Sequence, residues 1–183
     1  MAEPGLRHWR PRGVPGARPR PGAVRDWLDE PGSLTRRLRA QAGGAFDVQV
    51  LREYWGRPWP DERRRLGAPG PAWLWIREVR LGAGDQPWIY ARSVIPRHSL
   101  EGPLRRLRTL GRQPLGALLF GRYPVARGPI EVAALTGDSR LGARARAQGA
   151  QPQWARRSVF SIAGRPLLVT EVFLQPLIEE LHA

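Results

Sequence analysis

Two apolar runs dominate the hydrophobic pattern, residues 73–81 (Trp-Leu-Trp-Ile-Arg-Glu-Val-Arg-Leu) and residues 166–174 (Pro-Leu-Leu-Val-Thr-Glu-Val-Phe-Leu). Each reads as a strand, and each sets a charge among apolar neighbours: Arg77 in the first, Glu171 in the second. Ions are almost never fully buried without a partner, because taking one out of water costs several kcal/mol even after relaxation. Charges so placed point to chemistry. A cavity with a cation at one end and a carboxylate at the other suits a small, elongated, acidic ligand, and it accounts for both residues without pairing them with each other.

The rest of the pattern places these runs in hairpins. Residues 73–81 turn through the Gly-containing stretch 82–87 into a second run, 88–95, that Pro96 ends. Residues 154–162 join 166–174 through Ala163-Gly164-Arg165. Phe46, Val48 and Val50 alternate with Asp47 and Gln49, the period of a half-buried strand running to about Trp55, and residues 130–132 form a short strand. Helical spacing appears at Val24, Trp27 and Leu28, and again over 34–42, where Ser33 is placed to cap, Leu34 and Leu38 repeat at i, i+4, and Gly43-Gly44 terminates. Residues 104–110 read as helical, 114–120 begin with Pro at a first helical position, and a short helix follows Pro176. The Pro-, Gly- and Arg-rich stretches 57–70 and 137–153 read as loops. Residues 1–22, interrupted by Pro11, Pro15, Pro19 and Pro21, read as a disordered or loosely packed arm. Hairpin-linked strands with helices between them indicate one antiparallel α+β domain over residues 23–183.

Composition changes this picture little. A chain of 183 residues with 42% hydrophobic and 25% charged positions suits one globular domain. No apolar run is long enough for a transmembrane helix, and the N-terminus lacks the apolar centre of a secretory signal, so a cytoplasmic protein without membrane insertion is expected. The formal charge of +14 invites a nucleic-acid reading. Every one of the 30 basic residues is Arg, however, amid abundant Gly, Ala and Pro, which reads as GC-rich codon usage on a solvated surface. No nucleic-acid partner is expected on that ground. Cys is absent and His8, His98 and His182 lie far apart in the chain, so no metal site is expected, and there is no phosphate-binding Gly loop or Ser elbow.

Four blocks, in chain order, carry a family resemblance: Trp75-Ile-Arg77-Glu78-Val; Gln86-Pro87-Trp88-Ile89 with Arg92-Ser-Val-Ile-Pro96; Leu100-Glu-Gly-Pro103 with Leu110-Gly-Arg-Gln-Pro114-Leu115-Gly116; and Gly164-Arg-Pro166-Leu-Leu-Val-Thr170-Glu171-Val-Phe-Leu174. Together, over about residues 24–176, they resemble the bacterial chorismate pyruvate-lyases. The resemblance implies a six-stranded antiparallel sheet with helical flaps over an internal site, like the effector-binding domains of some transcription regulators. It implies cofactor-free cleavage of chorismate to 4-hydroxybenzoate and pyruvate, the first step towards the ubiquinone ring, by a monomer. It places substrate binding at Leu34, Arg77, Leu115 and Glu171, and chemistry at Glu171, Arg77 and Arg92. On this reading Arg77 grips the ring carboxylate as a fork, Arg92 lies across the hairpin as a second cation, and Glu171 meets the ring hydroxyl. A non-catalytic module binding a small aromatic acid on the same fold is the alternative.

Overall fold

The computed structural model describes residues 9–14, 20, 22–119, 124–135 and 138–182. Its centre is one wholly antiparallel sheet built around the two expected hairpins. β1 (Arg10–Pro11), β2 (Phe46–Gly56), β3 (Leu74–Ala83), β4 (Gln86–Ile95), β5 (Val125–Arg127), β6 (Glu131–Ala134), β7 (Pro152–Ile162) and β8 (Arg165–Leu174) run in the order β1-β6-β7-β8-β4-β3-β2, with β5 paired to β7. Six strands form the body of the sheet. The other two, β1 and β5, are pairings of two and three residues that no alternation in the sequence marks. The β7–β8 turn holds Ala163 and Gly164 both at positive φ, 50° and 76°, as a two-residue turn matched to strand twist requires.

Helices cover both faces. On one face α1 (Gly22–Leu28), α2 (Leu34–Ala42) and α6 (Gln175–Glu180) bury Val24, Trp27, Leu28, Leu34, Leu38 and Leu177 against Val79, Leu81, Ala91 and Phe173. Farther along the same face, the 3₁₀ turns Arg97–Leu100 and Gly102–Thr109 with α4 (Leu115–Leu119) set Leu100, Leu104, Leu107 and Leu119 against Phe160, Ile162, Leu167 and Val169. Each fully buried Leu contributes about 1.5–3 kcal/mol, so both clusters hold their helices firmly. The Ser33 hydroxyl accepts from the Arg36 amide at 3.2 Å, the expected cap of α2.

The other face is closed by two helices in stretches whose composition predicts loops. α3 (Pro60–Leu66) lies in the 57–70 stretch and α5 (Arg140–Arg146) in the 137–153 stretch. Both carry real helix signals. Pro60 opens α3, Glu62 accepts from the Trp59 amide at 2.8 Å, and Gly67 closes it at φ 60°. Ser139 caps α5 through the Gly142 amide at 2.9 Å, and Leu141 and Ala145, one turn apart, are buried. The many arginines mask these short apolar stripes. The 1–22 arm lies largely outside the described residues. Its described part is docked: β1 pairs with β6, the Arg12 amide donates to Ile130 O at 2.8 Å, and the Arg157 guanidinium sits 4.2 Å from the Trp9 ring centroid.

Candidate active site

Side chains of an antiparallel sheet form rows across the strands, and two adjacent rows on the α2/α4 face are polar. One runs Glu53, Arg77, Ser93, Val169, Ser158 across β2, β3, β4, β8 and β7. The next runs Val50, Val79, Ala91, Glu171, Arg156, Val132. Arg77 and Glu171 therefore stand on one face, two strand spacings of about 4.8 Å and one row apart. A cavity of about 530 Å³, counted out to its mouth, opens between them. Val79, Leu81, Ala91, Leu119, Phe160 and Val169 give it apolar walls, and Leu34 and Leu115 close it from α2 and α4. The two apolar clusters flank it, so the site is the gap in a shared core.

Local contacts fix both charges. Arg77 is 2% exposed; its Nη1 donates to the Glu53 carboxylate, and its Nη2 to Gly111 O at 2.7 Å and Gln113 O at 3.2 Å. It thus ties the turn before α4 to the sheet. At the other end Arg156 Nε donates to Glu171 Oε2 at 2.6 Å, while its Nη1 reaches Trp27 O at 3.1 Å and Glu30 O at 3.0 Å. Arg156 so joins Glu171 to the last turn of α1, where a cation is favoured by unsatisfied carbonyls. Beside it, Arg127 donates to Ser158 Oγ at 3.1 Å and to Glu30 O and Pro31 O at 3.1 and 3.0 Å. Burial, reinforced by the neighbouring Arg156 charge, pushes the Arg127 guanidinium well below its ordinary pKa. Two strand arginines therefore hold the chain that leads into α2. The flaps also meet each other: a Cβ on Gly116 of α4 would lie 2.7 Å from Thr35 Oγ1 of α2.

Four of the five expected site residues, Leu34, Arg77, Leu115 and Glu171, line this one cavity. Arg92 does not. It pairs with Thr170 and Glu78, one position out of step with Arg77, and projects from the opposite face. There its Nε and Nη2 donate to Glu62 at 2.7 and 3.2 Å, and its Nη1 to Glu78 Oε1 at 2.5 Å and Tyr54 Oη at 3.2 Å, with the guanidinium 4.0 Å from the Trp59 ring centroid. The cause is a register shift between Leu81 and Gly82. Counted straight back from the turn pair Ala83 and Gln86, Arg77 would face Arg92; the extra residue at Pro87-Trp88 places Ser93 there instead.

Arg156, Ser93 and Glu53 are site residues that pattern reading missed. Arg156 was legible in principle, since it faces Glu171 across the 163–164 turn; Glu53 was not, because a second bulge between Val50 and Arg52 turns it onto the cavity face.

Comparison with known proteins places the chain in a family. The sequence pattern of the family described as "Chorismate lyase" matches residues 17–181. A protein of Halorhodospira halophila named "Probable chorismate pyruvate-lyase" is 48% identical over 182 residues, covering 97% of this chain and 95% of that protein. One of the same name from Pseudomonas aeruginosa is 47% identical, covering 84% of each chain. Among solved structures, a GntR-family transcriptional regulator from Bacillus cereus aligns with TM-score 0.54 at 8% identity, over 73% of this chain and 94% of that one. The C-terminal domain of a histidine utilization repressor from Pseudomonas syringae aligns with TM-score 0.51 at 10% identity, over 72% and 92%. At such identities the structural likeness speaks for the fold alone. With the family pattern matched over residues 17–181 and identity of 48% across nearly the full length, the chain belongs to the chorismate lyase family.

Proposed function

We propose that the protein cleaves chorismate to 4-hydroxybenzoate and pyruvate inside the cavity between α2, α4 and the sheet. The observation that carries this is the pair of opposite charges, Arg77 and Glu171, at two ends of one apolar-walled cavity, each held by a different partner. The ring carboxylate lies at Arg77, the ring stacks along Val79, Ala91, Phe160 and Val169, and the ring hydroxyl meets Glu171. The reaction breaks the bond between ring C3 and the enolpyruvyl oxygen and removes the hydrogen on C4. The C4–H electron pair becomes a ring double bond, the enolate departs, and protonation gives pyruvate. Aromatisation supplies the driving force, so the protein's work is to orient the ring, exclude water and meet developing charge. Glu171 takes the C4 proton in this scheme. Leu34 and Leu115 close the mouth, and Arg77, which also holds Gly111 and Gln113, links the substrate to the α4 flap. The product then serves the ubiquinone ring, and the protein works as a cytoplasmic monomer.

The test is chorismate turnover by the purified protein, with pyruvate and the aromatic product both quantified. Equal amounts of pyruvate and 4-hydroxybenzoate over many turnovers are expected. Tight 4-hydroxybenzoate binding with no turnover would instead make this an effector-binding module. Glu171→Gln is expected to lower kcat; unchanged kcat with only a raised KM would restrict Glu171 to binding.

A further inference from the structure

A carboxylate beside Arg77 lacks the fork expected of an arginine clamp. A guanidinium has five N–H donors, and each of its two planar forks uses Nη2. In this protein Nη2 already donates to two carbonyls, Gly111 O and Gln113 O, and Nη1 to Glu53. The N–H groups that Arg77, a cavity-lining residue, leaves without a protein partner are one on Nη1 and one on Nε, which do not form a fork, so a second donor for the other carboxylate oxygen must come from elsewhere.

The cavity holds one suited group. Ser93 lies directly across the β3–β4 pair from Arg77, on the same face and in the same row. It is 5% exposed and lines the cavity. Among the described residues its hydroxyl makes no hydrogen bond to the protein, whereas the Ser33 hydroxyl, also on the cavity wall, is spent on capping α2. The oxygen is not sealed in the core but opens onto the cavity, so its hydroxyl is free to donate to a ligand there.

We infer that Ser93 is a substrate-binding residue whose hydroxyl donates to the ring carboxylate held by Arg77, making the pair a two-point receptor for a carboxylate. The inference rests on the proposed chorismate reading of the cavity. It also explains what the bulge at residues 81–88 achieves for the site: one register slip exchanges a second cation for a neutral donor, so a single carboxylate faces one positive charge rather than two.

The experiment compares wild type, Ser93→Ala and Ser93→Thr for binding of 4-hydroxybenzoate and of 4-methylphenol, which keeps the ring and hydroxyl but lacks the carboxylate. Thermal melting and chorismate kinetics are followed in parallel. Ser93→Ala is expected to weaken 4-hydroxybenzoate about 10- to 100-fold, the loss of one charge-assisted hydrogen bond. It is expected to leave 4-methylphenol affinity and Tm unchanged, and to raise the KM for chorismate more than it lowers kcat. Ser93→Thr, which keeps the hydroxyl, is expected to restore binding. Equal weakening of both ligands, or unaltered 4-hydroxybenzoate affinity in Ser93→Ala, would overturn the inference while leaving the proposed function standing. A wild-type protein that neither binds 4-hydroxybenzoate nor consumes chorismate would sink both.

Discussion

The two faces of the sheet both bury arginines, and they treat them in opposite ways. On the cavity face, Arg77 is held by Glu53 and two main-chain carbonyls and Glu171 by Arg156, and both still border open space. On the far face, Arg92 is closed in by Glu62 and Glu78, with Tyr54 as a further acceptor and Trp59 stacked over it. Burial opposes the charge on Arg92, yet its hydrogen bonds to Glu62 hold the guanidinium above its ordinary pKa. Arg92, with four of its five N–H donors bonded to side chains and three of those bonds to carboxylates, is structural. Arg77, with donors left over at the cavity, is available to a ligand.

The sharpest way to break this contrast is to remove each cation in turn. Arg92→Ala leaves two carboxylates, each 3% exposed, without their main counter-charge, and is expected to cost about 3–5 kcal/mol of stability. Activity per folded molecule stays near wild type. Arg77→Ala is expected to do the reverse, losing about 2–4 kcal/mol of transition-state stabilisation. Its stability cost is smaller, because the Glu53 carboxylate left behind is 23% exposed and reaches water. Urea unfolding and kcat/KM on both variants check this. A large loss of kcat/KM in folded Arg92→Ala would return that residue to the site.

The bulge that separates the two arginines offers a second, subtler test. Gly82 sits where the strands close up: a Cβ there would meet Gln86 O at 2.0 Å. Only glycine permits that approach; it faces Pro87, which has no N–H to give a ladder, and Trp88 is the extra residue on the partner strand. Gly82→Ala is expected to destabilise by about 1–3 kcal/mol. It is also expected to lower 4-hydroxybenzoate affinity, since any relaxation of the register moves Ser93 away from Arg77. A Gly82→Ala protein with wild-type melting and binding would mean that the hairpin does not depend on the bulge.

This bulge also marks the boundary of what the sequence could tell. The two hairpins, the α2 cap at Ser33, the burial of Arg77 and the half-burial of Glu171 follow from periodicity and turn chemistry, both local properties. Which way Arg92 and Glu53 point depends on single extra residues in β4 and β2, and a slip of one inverts every side chain beyond it. Alternation alone carries no record of such a slip. The helices α3 and α5 were lost for a different reason: each is about two turns long, with its apolar contact reduced to Leu66, or to Leu141 and Ala145, in a run of arginines. Their caps at Glu62 and Ser139 were the better signal, and the composition drowned it.

The smallest effect concerns Tyr90, at the border of the Arg92 cluster. Its side chain is 1% exposed on the Arg92 face, and its hydroxyl is buried without a hydrogen-bond partner among the described residues. Burial, with the nearby Glu78 charge, pushes the phenol pKa up, so it stays neutral at any working pH. Glu78, the carboxylate whose charge acts on it, already accepts from Arg92 at 2.5 Å, from Tyr54 Oη at 3.3 Å and from Arg144 at 3.4 Å. A hydroxyl in that position bears a desolvation cost with no bond to offset it, whereas a phenyl ring keeps the packing against Leu141, Ala145 and Val172. Tyr90→Phe is therefore expected to leave activity unchanged and to raise stability by up to about 1 kcal/mol. A loss of more than about 1 kcal/mol in urea unfolding would mean that the hydroxyl donates to Glu78 in solution. The cluster around Arg92 would then include a fourth polar member, and the line between a structural face and a receptive one would have to be redrawn with Tyr90 on the structural side.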